Sequence, residues 1–305
     1  MKKILITGAN GLLGQKLVEK LKDSENLKVI ATGIGASRLP EAWSGAYIWE
    51  SMDITNLSMV IDLVGKHKPD CIIHTAAMTQ VDDCENQKDA CWKSNVEAVG
   101  NMVFVCEKHD IHLIHLSTDF IFDGENGPYD EEAEANPVNY YGKAKLEAEK
   151  IIQQSKCRWA IARTVLVYGL ATDMSRSNII LWVKKSLESG KEIKVVTDQW
   201  RTPTLAEDLA DGCILIMDKS AEGIFNISGE EFLTPYDMAM QTAKFFNLDH
   251  SFIKKADSSN FSQPAKRPLK TGFIIDKARK ELGYNPKSFM DGIGILSKQL
   301  KLADS

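Results

Sequence analysis

Two side chains four residues apart, Tyr141 and Lys145, open the chemical reading of this chain. Placed on a helix they share one face, so a phenol and an ammonium point into the same cleft. A phenol with its ordinary pKa of about 10 is a poor proton donor or acceptor at neutral pH, and a nearby cation draws it toward the working range. By itself the spacing is weak evidence, because it recurs on many helices with no chemistry attached. Its weight comes from His115-Leu-Ser-Thr118-Asp119, an apolar run ending in hydroxyls. In open α/β sheets ligands sit beyond the carboxyl ends of the strands, which is where Thr118 falls. An ST-turn at Ser117-Thr118 and a solvated Lys145 are the plain structural alternatives.

A second constellation stands at the start of the chain. Gly8-Ala9-Asn10-Gly11-Leu12-Leu13-Gly14 follows a β-branched run and opens a helical pattern. Glycines there permit a tight turn and close backbone approach, while the helix start offers free N–H groups to a pyrophosphate. The context predicts a dinucleotide site. A fold selecting NAD places an acid at the end of the second strand, on the ribose 2′-hydroxyl. Thr32-Gly-Ile-Gly-Ala-Ser37-Arg38 has none, and Ser37 and Arg38 suit a 2′-phosphate. NADP(H) is therefore the expected cofactor, with NAD(H) possible. Asp53-Ile54 is placed to face the adenine, or to begin the next helix.

These groups need a scaffold. Strands are predicted at 3–7, 28–32, 46–49, 71–75, 112–117 and 159–163, and helices at 12–22, 57–66, 89–109 and 140–154. Strands apolar on both faces that alternate with amphipathic helices give a parallel, doubly wound (Rossmann) α/β sheet of seven strands. The expected division is 1–170 for dinucleotide binding and 171–305 for a smaller mixed lobe, with about 204–230 returning to the first sheet. In that lobe a polar loop is read at 171–177 and a polar connection at 254–270. Helices are read at 179–189, 204–217, 234–246, 276–282 and 288–301, and strands at 193–196 and 224–227.

Composition excludes several classes. With 37 basic and 42 acidic residues the net charge is −5 in 305 residues, so nucleic acid is not an expected partner. No apolar run approaches the roughly 20 residues of a membrane span, and Ile4-Leu-Ile6 is too short for a signal core, so a cytoplasmic protein is expected. The six cysteines form no CxxC pair and read as reduced thiols; Cys84, Cys91 and His74 match no zinc spacing, and no metal is expected. Asp130-Glu131-Glu132 reads as a solvated loop rather than a cation site.

Taken together the motifs resemble the extended short-chain dehydrogenase/reductases, and within them the dTDP-4-dehydrorhamnose reductase family, over nearly the whole chain. Gly8–Gly14 resembles that family's cofactor loop. The run from Cys71 to Asp82, with Ala76, Ala77 and Thr79, is similar to its nicotinamide-side strand and turn. Ser117–Gly124 resembles the STDYVFDG signature, Asn139–Glu147 the YGxxKL helix, and Thr197–Thr204 the DQxGxPT segment. The resemblance implies that Tyr141 is the general acid, that Lys145 tunes it and holds the nicotinamide ribose, and that Thr118 hydrogen-bonds the substrate carbonyl. It further implies a relay role for Asn95, and contacts to a nucleotide sugar from Asp119, Asn178, Trp200, Arg201 and Arg267. The implied reaction is reduction of a nucleotide-linked 4-keto-6-deoxysugar, most simply dTDP-4-dehydro-L-rhamnose, and a homodimer is among the assemblies the resemblance allows.

Departures bear on the sugar. Leu166 stands where the family often has tryptophan, and DQWRTPT puts Trp200 and Arg201 beside the expected cleft. An NAD-dependent nucleotide-sugar epimerase remains an alternative. A dehydratase is disfavoured, because Phe120 follows Asp119 where an acid pair is expected. The chain is also similar to the dinucleotide-binding regulatory subunit of methionine adenosyltransferase, in which the same residues need not catalyse.

Overall fold

A computed structural model describes residues 1–172 and 178–303. Its centre is a seven-stranded, wholly parallel sheet built from β1 (Lys2–Thr7), β2 (Leu27–Gly33), β3 (Ile48–Ser51), β4 (Cys71–His74), β5 (His112–Thr118), β6 (Trp159–Thr164) and β10 (Gly223–Asn226). Their spatial order is β3-β2-β1-β4-β5-β6-β10. The order reverses between β1 and β4, and the crevice above that switch point is where this class of sheet binds its ligand.

Each strand is apolar on both faces because both are covered. Ile4, Ile6, Ile73, Ile114 and Ala162 pack into one core with Leu17 of α1 (Leu12–Leu21) and with Leu209, Cys213 and Ile216 of α8 (Ala206–Lys219). The intervening residues Leu5, Ile72, Leu113 and Ile161 face the other way. They meet α2 (Leu57–His67), α5 (Ala98–His109) and α6 (Tyr140–Gln153) through Val60, Met102 and Ile152. Period-two alternation between two dry layers is the physical content of the continuous apolar runs. Glu149 of α6 and Arg163 of β6 form a two-pronged ion pair in the second layer, at 3.0 and 2.7 Å.

The expected helix over 89–109 is divided. Short helices α3 (Val81–Asn86) and α4 (Lys88–Trp92) lead into a wide π-type turn at Lys93–Glu97, and α5 continues from Ala98. That turn carries Asn95, and wide turns of this type often mark functional sites. The smaller lobe pairs β8 (Ile193–Val196) with β11 (Ile253–Ala256), and α7 (Ile179–Glu188) with α9 (Pro235–Phe245), around Val183, Ile193, Ala239 and Ile253. Residues 253–256, read in part as a polar connection, form a strand because Ile253 and Ala256 turn inward while Lys254 and Lys255 stay in solvent. Thr204 and Leu205 form the short strand β9, paired with β7 (Val167–Tyr168), so helix α8 starts two residues later than its apolar pattern suggests. The C-terminal helix α10 (Phe289–Ala303) closes on α9. Most of the loop read at 171–177 lies outside the described residues. All six cysteines are free and buried, and among the described residues no helix is long and apolar enough to cross a membrane.

Candidate active site

The turn from β1 into α1 forms a cradle. Gly8 has φ +66°, and a Cβ there would lie 2.8 Å from the Ala76 nitrogen. At Gly14 a Cβ would meet the Gly8 carbonyl oxygen at 2.4 Å, so helix and turn approach only with glycine. Gly11 caps α1 without any side-chain bond, and no acid stands in its first turn. The backbone N–H groups there, those of Leu12 and Leu13 among them, are offered to an anion with the positive end of the helix behind them. Asn10 also holds the neighbouring loop. Its amide donates to the Ala36 carbonyl at 3.0 Å and accepts from the Arg38 N–H at 2.8 Å, pinning the loop after β2 against the cradle.

That loop carries no carboxylate. The Arg38 side chain is exposed, while the Ser37 hydroxyl is engaged with the Tyr47 hydroxyl at 3.1 Å. The Trp49 indole donates to the Gly35 carbonyl at 3.2 Å. Asp53 accepts the Thr55 N–H and hydroxyl at 2.9 and 2.8 Å in a turn before α2, whose cap is Asn56, with Ile54 buried beneath. The residues present therefore fit a dinucleotide whose 2′ position meets a cation rather than an acid.

Across the switch point lies the second half of the site. Thr118 ends β5, Tyr141 lies in the first turn of α6, and the Thr118 hydroxyl stands near enough to the Tyr141 phenol to lower its pKa. Their approach is set by Gly142, where a Cβ would sit 2.0 Å from the Phe120 carbonyl oxygen. Asn139 caps α6 by accepting the Gly142 N–H at 2.8 Å and donates to the Lys266 carbonyl at 2.8 Å, so one side chain sets the helix start and ties down the small lobe. Burial raises the Tyr141 pKa, and the Thr118 hydroxyl opposes it only in part. The phenol is thus held protonated. Burial outweighs any charge beside it, and the Lys145 ammonium lies 3.0 Å from His115 Nε2 and 2.6 Å from the Leu116 carbonyl. Burial brings Lys145 itself down to about 8.

Asn95, 1% exposed, clasps Met78 from both sides: its oxygen accepts the Met78 N–H at 2.8 Å and its NH₂ donates to the Met78 carbonyl at 2.9 Å. It thereby shapes the Ala76-Ala77-Met78-Thr79 turn that faces the glycine cradle.

The residues expected around a sugar nucleotide are mostly engaged with the protein. Asp119, 3% exposed, accepts from the Thr118 hydroxyl at 3.1 Å and from the Thr271 hydroxyl, with Arg201 Nε 3.6 Å away. Burial raises its pKa and Arg201 pulls it back. Arg201 is a buried tie: it donates to the carbonyls of Trp200, Leu269 and Pro268 at 2.7, 3.0 and 2.7 Å. Asn178 caps α7, accepting the Leu181 N–H at 3.0 Å and donating to the Gly169 carbonyl at 2.8 Å. Arg267 forms a two-pronged bridge to Asp82 at 2.5 and 2.8 Å, which fastens the 254–270 segment to α3. Trp200 rests on Phe232, with ring centroids 5.4 Å apart. Leu166 is 44% exposed at φ +34°, an apolar surface held in a strained backbone.

Sequence reading did not single out Asn139 for its cap, Gly142, the contacts that His74 and His115 make, or the ring of Tyr47 and Trp49. The Asn-x-x-Gly spacing at the start of α6 is the one signal present in the sequence; the others depend on which strands become neighbours.

Comparison with known proteins agrees with this geometry. The family model described as "RmlD substrate binding domain" matches residues 1–301. A probable low-salt glycan biosynthesis reductase of Haloferax volcanii is 30% identical over 293 residues, covering 95% of this chain and 96% of the relative. The methionine adenosyltransferase 2 subunit beta of Bos taurus is 32% identical over 263 residues, covering 85% and 76%. Among solved structures, a dTDP-4-dehydrorhamnose reductase of Clostridium acetobutylicum superposes with a TM-score of 0.86 at 29% identity, covering 98% and 99% of the two chains. A dTDP-4-dehydrorhamnose reductase of Bacillus anthracis, in complex with NADP, gives 0.83 at 26% identity, covering 98% and 100%. With its whole length matched and its glycine cradle, Thr118, Tyr141 and Lys145 gathered at one switch point, the chain belongs to the RmlD family of extended short-chain dehydrogenase/reductases.

Proposed function

We propose that this protein is an NADPH-dependent reductase of a nucleotide-linked 4-keto-6-deoxysugar, with dTDP-4-dehydro-L-rhamnose as the first substrate to test. The observation that carries the reading is that Thr118 at the end of β5 and the buried, protonated Tyr141 of α6 are brought together with Lys145, whose ammonium reaches the Leu116 carbonyl of β5 at 2.6 Å. Bound NADPH supplies a hydride to a carbonyl carbon. The protein's part is the oxygen. As negative charge grows there, Tyr141 delivers its proton, and the Thr118 hydroxyl, which rests on Asp119, turns its own proton to the same oxygen. Lys145 offers its remaining proton toward the ribose side of the cleft, and the Asn95 clasp keeps the facing turn from closing over it. The 2′-phosphate preference rests on exposed Arg38 and a carboxylate-free loop, and NAD(H) is the weaker alternative. Residues 1–170 serve as the dinucleotide part and 171–305 as the sugar lobe, with β10 and α8 returned to the first.

Asp119 is tied by Thr118, Thr271 and Arg201, which disfavours the free acid that a dehydration needs. A regulatory, non-catalytic role is the second reading, supported by the likeness to the subunit beta. Oxidation of NADPH against a panel of dTDP-, GDP- and UDP-linked 4-keto sugars separates the two. Turnover with one of them, abolished in Tyr141→Phe while NADPH still binds, is the expected result. No oxidation with any sugar refutes the reductase reading.

A further inference from the structure

Three polar side chains stand in a row on neighbouring strands beneath the site. In register Thr7 of β1 pairs with His74 of β4, and His74 with His115 of β5. Their exposures are 0%, 1% and 1%. Two residues earlier on the same face the row reads Leu5, Ile72 and Leu113, ordinary core.

Its hydrogen bonds run in one direction. The Thr7 hydroxyl accepts from the backbone N–H groups of Thr75 and Ala76, both at 3.1 Å, which uses its lone pairs. Its single proton therefore goes to His74 Nδ1 at 2.8 Å, and His74 carries its own proton on Nε2. The His74 ring stacks on His115 with centroids 5.4 Å apart. The Lys145 ammonium, which only donates, lies 3.0 Å from His115 Nε2, so that nitrogen is the acceptor and His115 is protonated on Nδ1. His74 Nε2 and His115 Nδ1 are buried without a hydrogen-bond partner. An apolar pair would leave no such orphaned donors, so packing does not account for the two imidazoles.

We propose that His115 is a positioning residue for Lys145: its neutral imidazole keeps the ammonium charged and aimed at the cofactor side of the cleft, and the Thr7–His74–His115 row ties that ammonium to the Thr75–Ala76 turn abutting Gly8. The proposal rests on the reductase reading for its catalytic meaning, and on geometry alone for its structural content. Among the described residues, His115 and the Leu116 carbonyl are the hydrogen-bond partners of Lys145 Nζ. The other titratable groups that act on it or feel it are Glu149 of α6, the Cys84 and Cys91 thiols of α3 and α4, and His74 of β4. Of these, Glu149 supports the ammonium, but Arg163 holds both of its oxygens. His115 stays neutral because burial first, and Lys145 second, hold its pKa well below the ordinary value.

The test follows Lys145 directly, by carbon-13 NMR of lysine Cε in the full-length protein without cofactor, with the Lys145 signal identified from Lys145→Gln. In the unaltered protein the midpoint is expected near 8. In His115→Phe the ammonium loses its acceptor in an apolar setting, so the midpoint falls by about one pH unit or more. His115→Gln supplies an amide oxygen and brings the midpoint back. Should the Phe variant fail to fold, His115→Met makes the same comparison with a flexible side chain. A midpoint unchanged in the apolar variants, or one that drops equally in His115→Gln, overturns the proposal. Because no sugar is involved, a negative sugar panel defeats the reductase reading without touching this result, and an unchanged midpoint defeats the positioning role without touching turnover.

Discussion

Replacing Gly142 with alanine tests whether the reactive geometry is set by backbone contact. The added Cβ would lie 2.0 Å from the Phe120 carbonyl oxygen, 2.9 Å from its carbon and 3.0 Å from Pro137 Cβ. Carbon–oxygen contacts settle at about 3.3 Å or more, so the start of α6 must retreat from the Thr118–Phe120 segment by about 1.3 Å. Both obstacles nearest the new methyl are backbone atoms, so no side-chain rotation relieves them. Overpacking of this kind costs about 1–3 kcal/mol of stability. The displacement falls on Tyr141, the adjacent residue, and a shift of about 1 Å at a reacting group lowers kcat by about 100-fold. NADPH affinity, read by fluorescence titration, should change little, because the glycine cradle lies on β1 and α1. The matched control is Gly65→Ala on the exposed face of α2, where a Cβ meets nothing within 4 Å. There alanine should stabilise by about 0.4–1 kcal/mol. A Gly142→Ala enzyme with unaltered kcat and an unaltered urea midpoint would refute the argument.

Three further outcomes are expected. Glu149→Ala strands the Arg163 guanidinium in the core and should cost about 3–5 kcal/mol, measured by urea unfolding, with Glu149→Gln costing less. Burial holds His74 down to about 3 and His112 down to about 4, from 6.5 when unfolded, so the unfolded chain binds more protons between these values. Stability is then intact above about pH 6.5 and declines as pH falls, with a slope approaching about 1.4 kcal/mol per pH unit for each such histidine; a urea midpoint equal at pH 7 and pH 5 would contradict this. Arg38→Ala should raise the KM for NADPH at least several-fold more than that for NADH, since the lost guanidinium can neutralise only a 2′-phosphate, and equal effects on both cofactors would discard the assignment.

The alternating pattern of apolar strands and amphipathic helices determined the doubly wound sheet, because burial on both faces leaves strands no polar side to display. Local spacing likewise announced the glycine cradle and the Tyr141–Lys145 face, since a turn and a helix are written within a few residues. Tertiary structure alone decided what those groups touch. That Lys145 meets His115, that Arg201 is closed in by the carbonyls of residues 268 and 269, that Asn178 caps a helix and that Arg267 grips Asp82 all depend on segments distant in the chain becoming neighbours. A charged or amide side chain looks the same in sequence whether its partner is a ligand or a remote backbone oxygen. The protonation of Tyr141 belongs to the same class: residue type offers a phenol, and only the depth of its burial holds the proton on it.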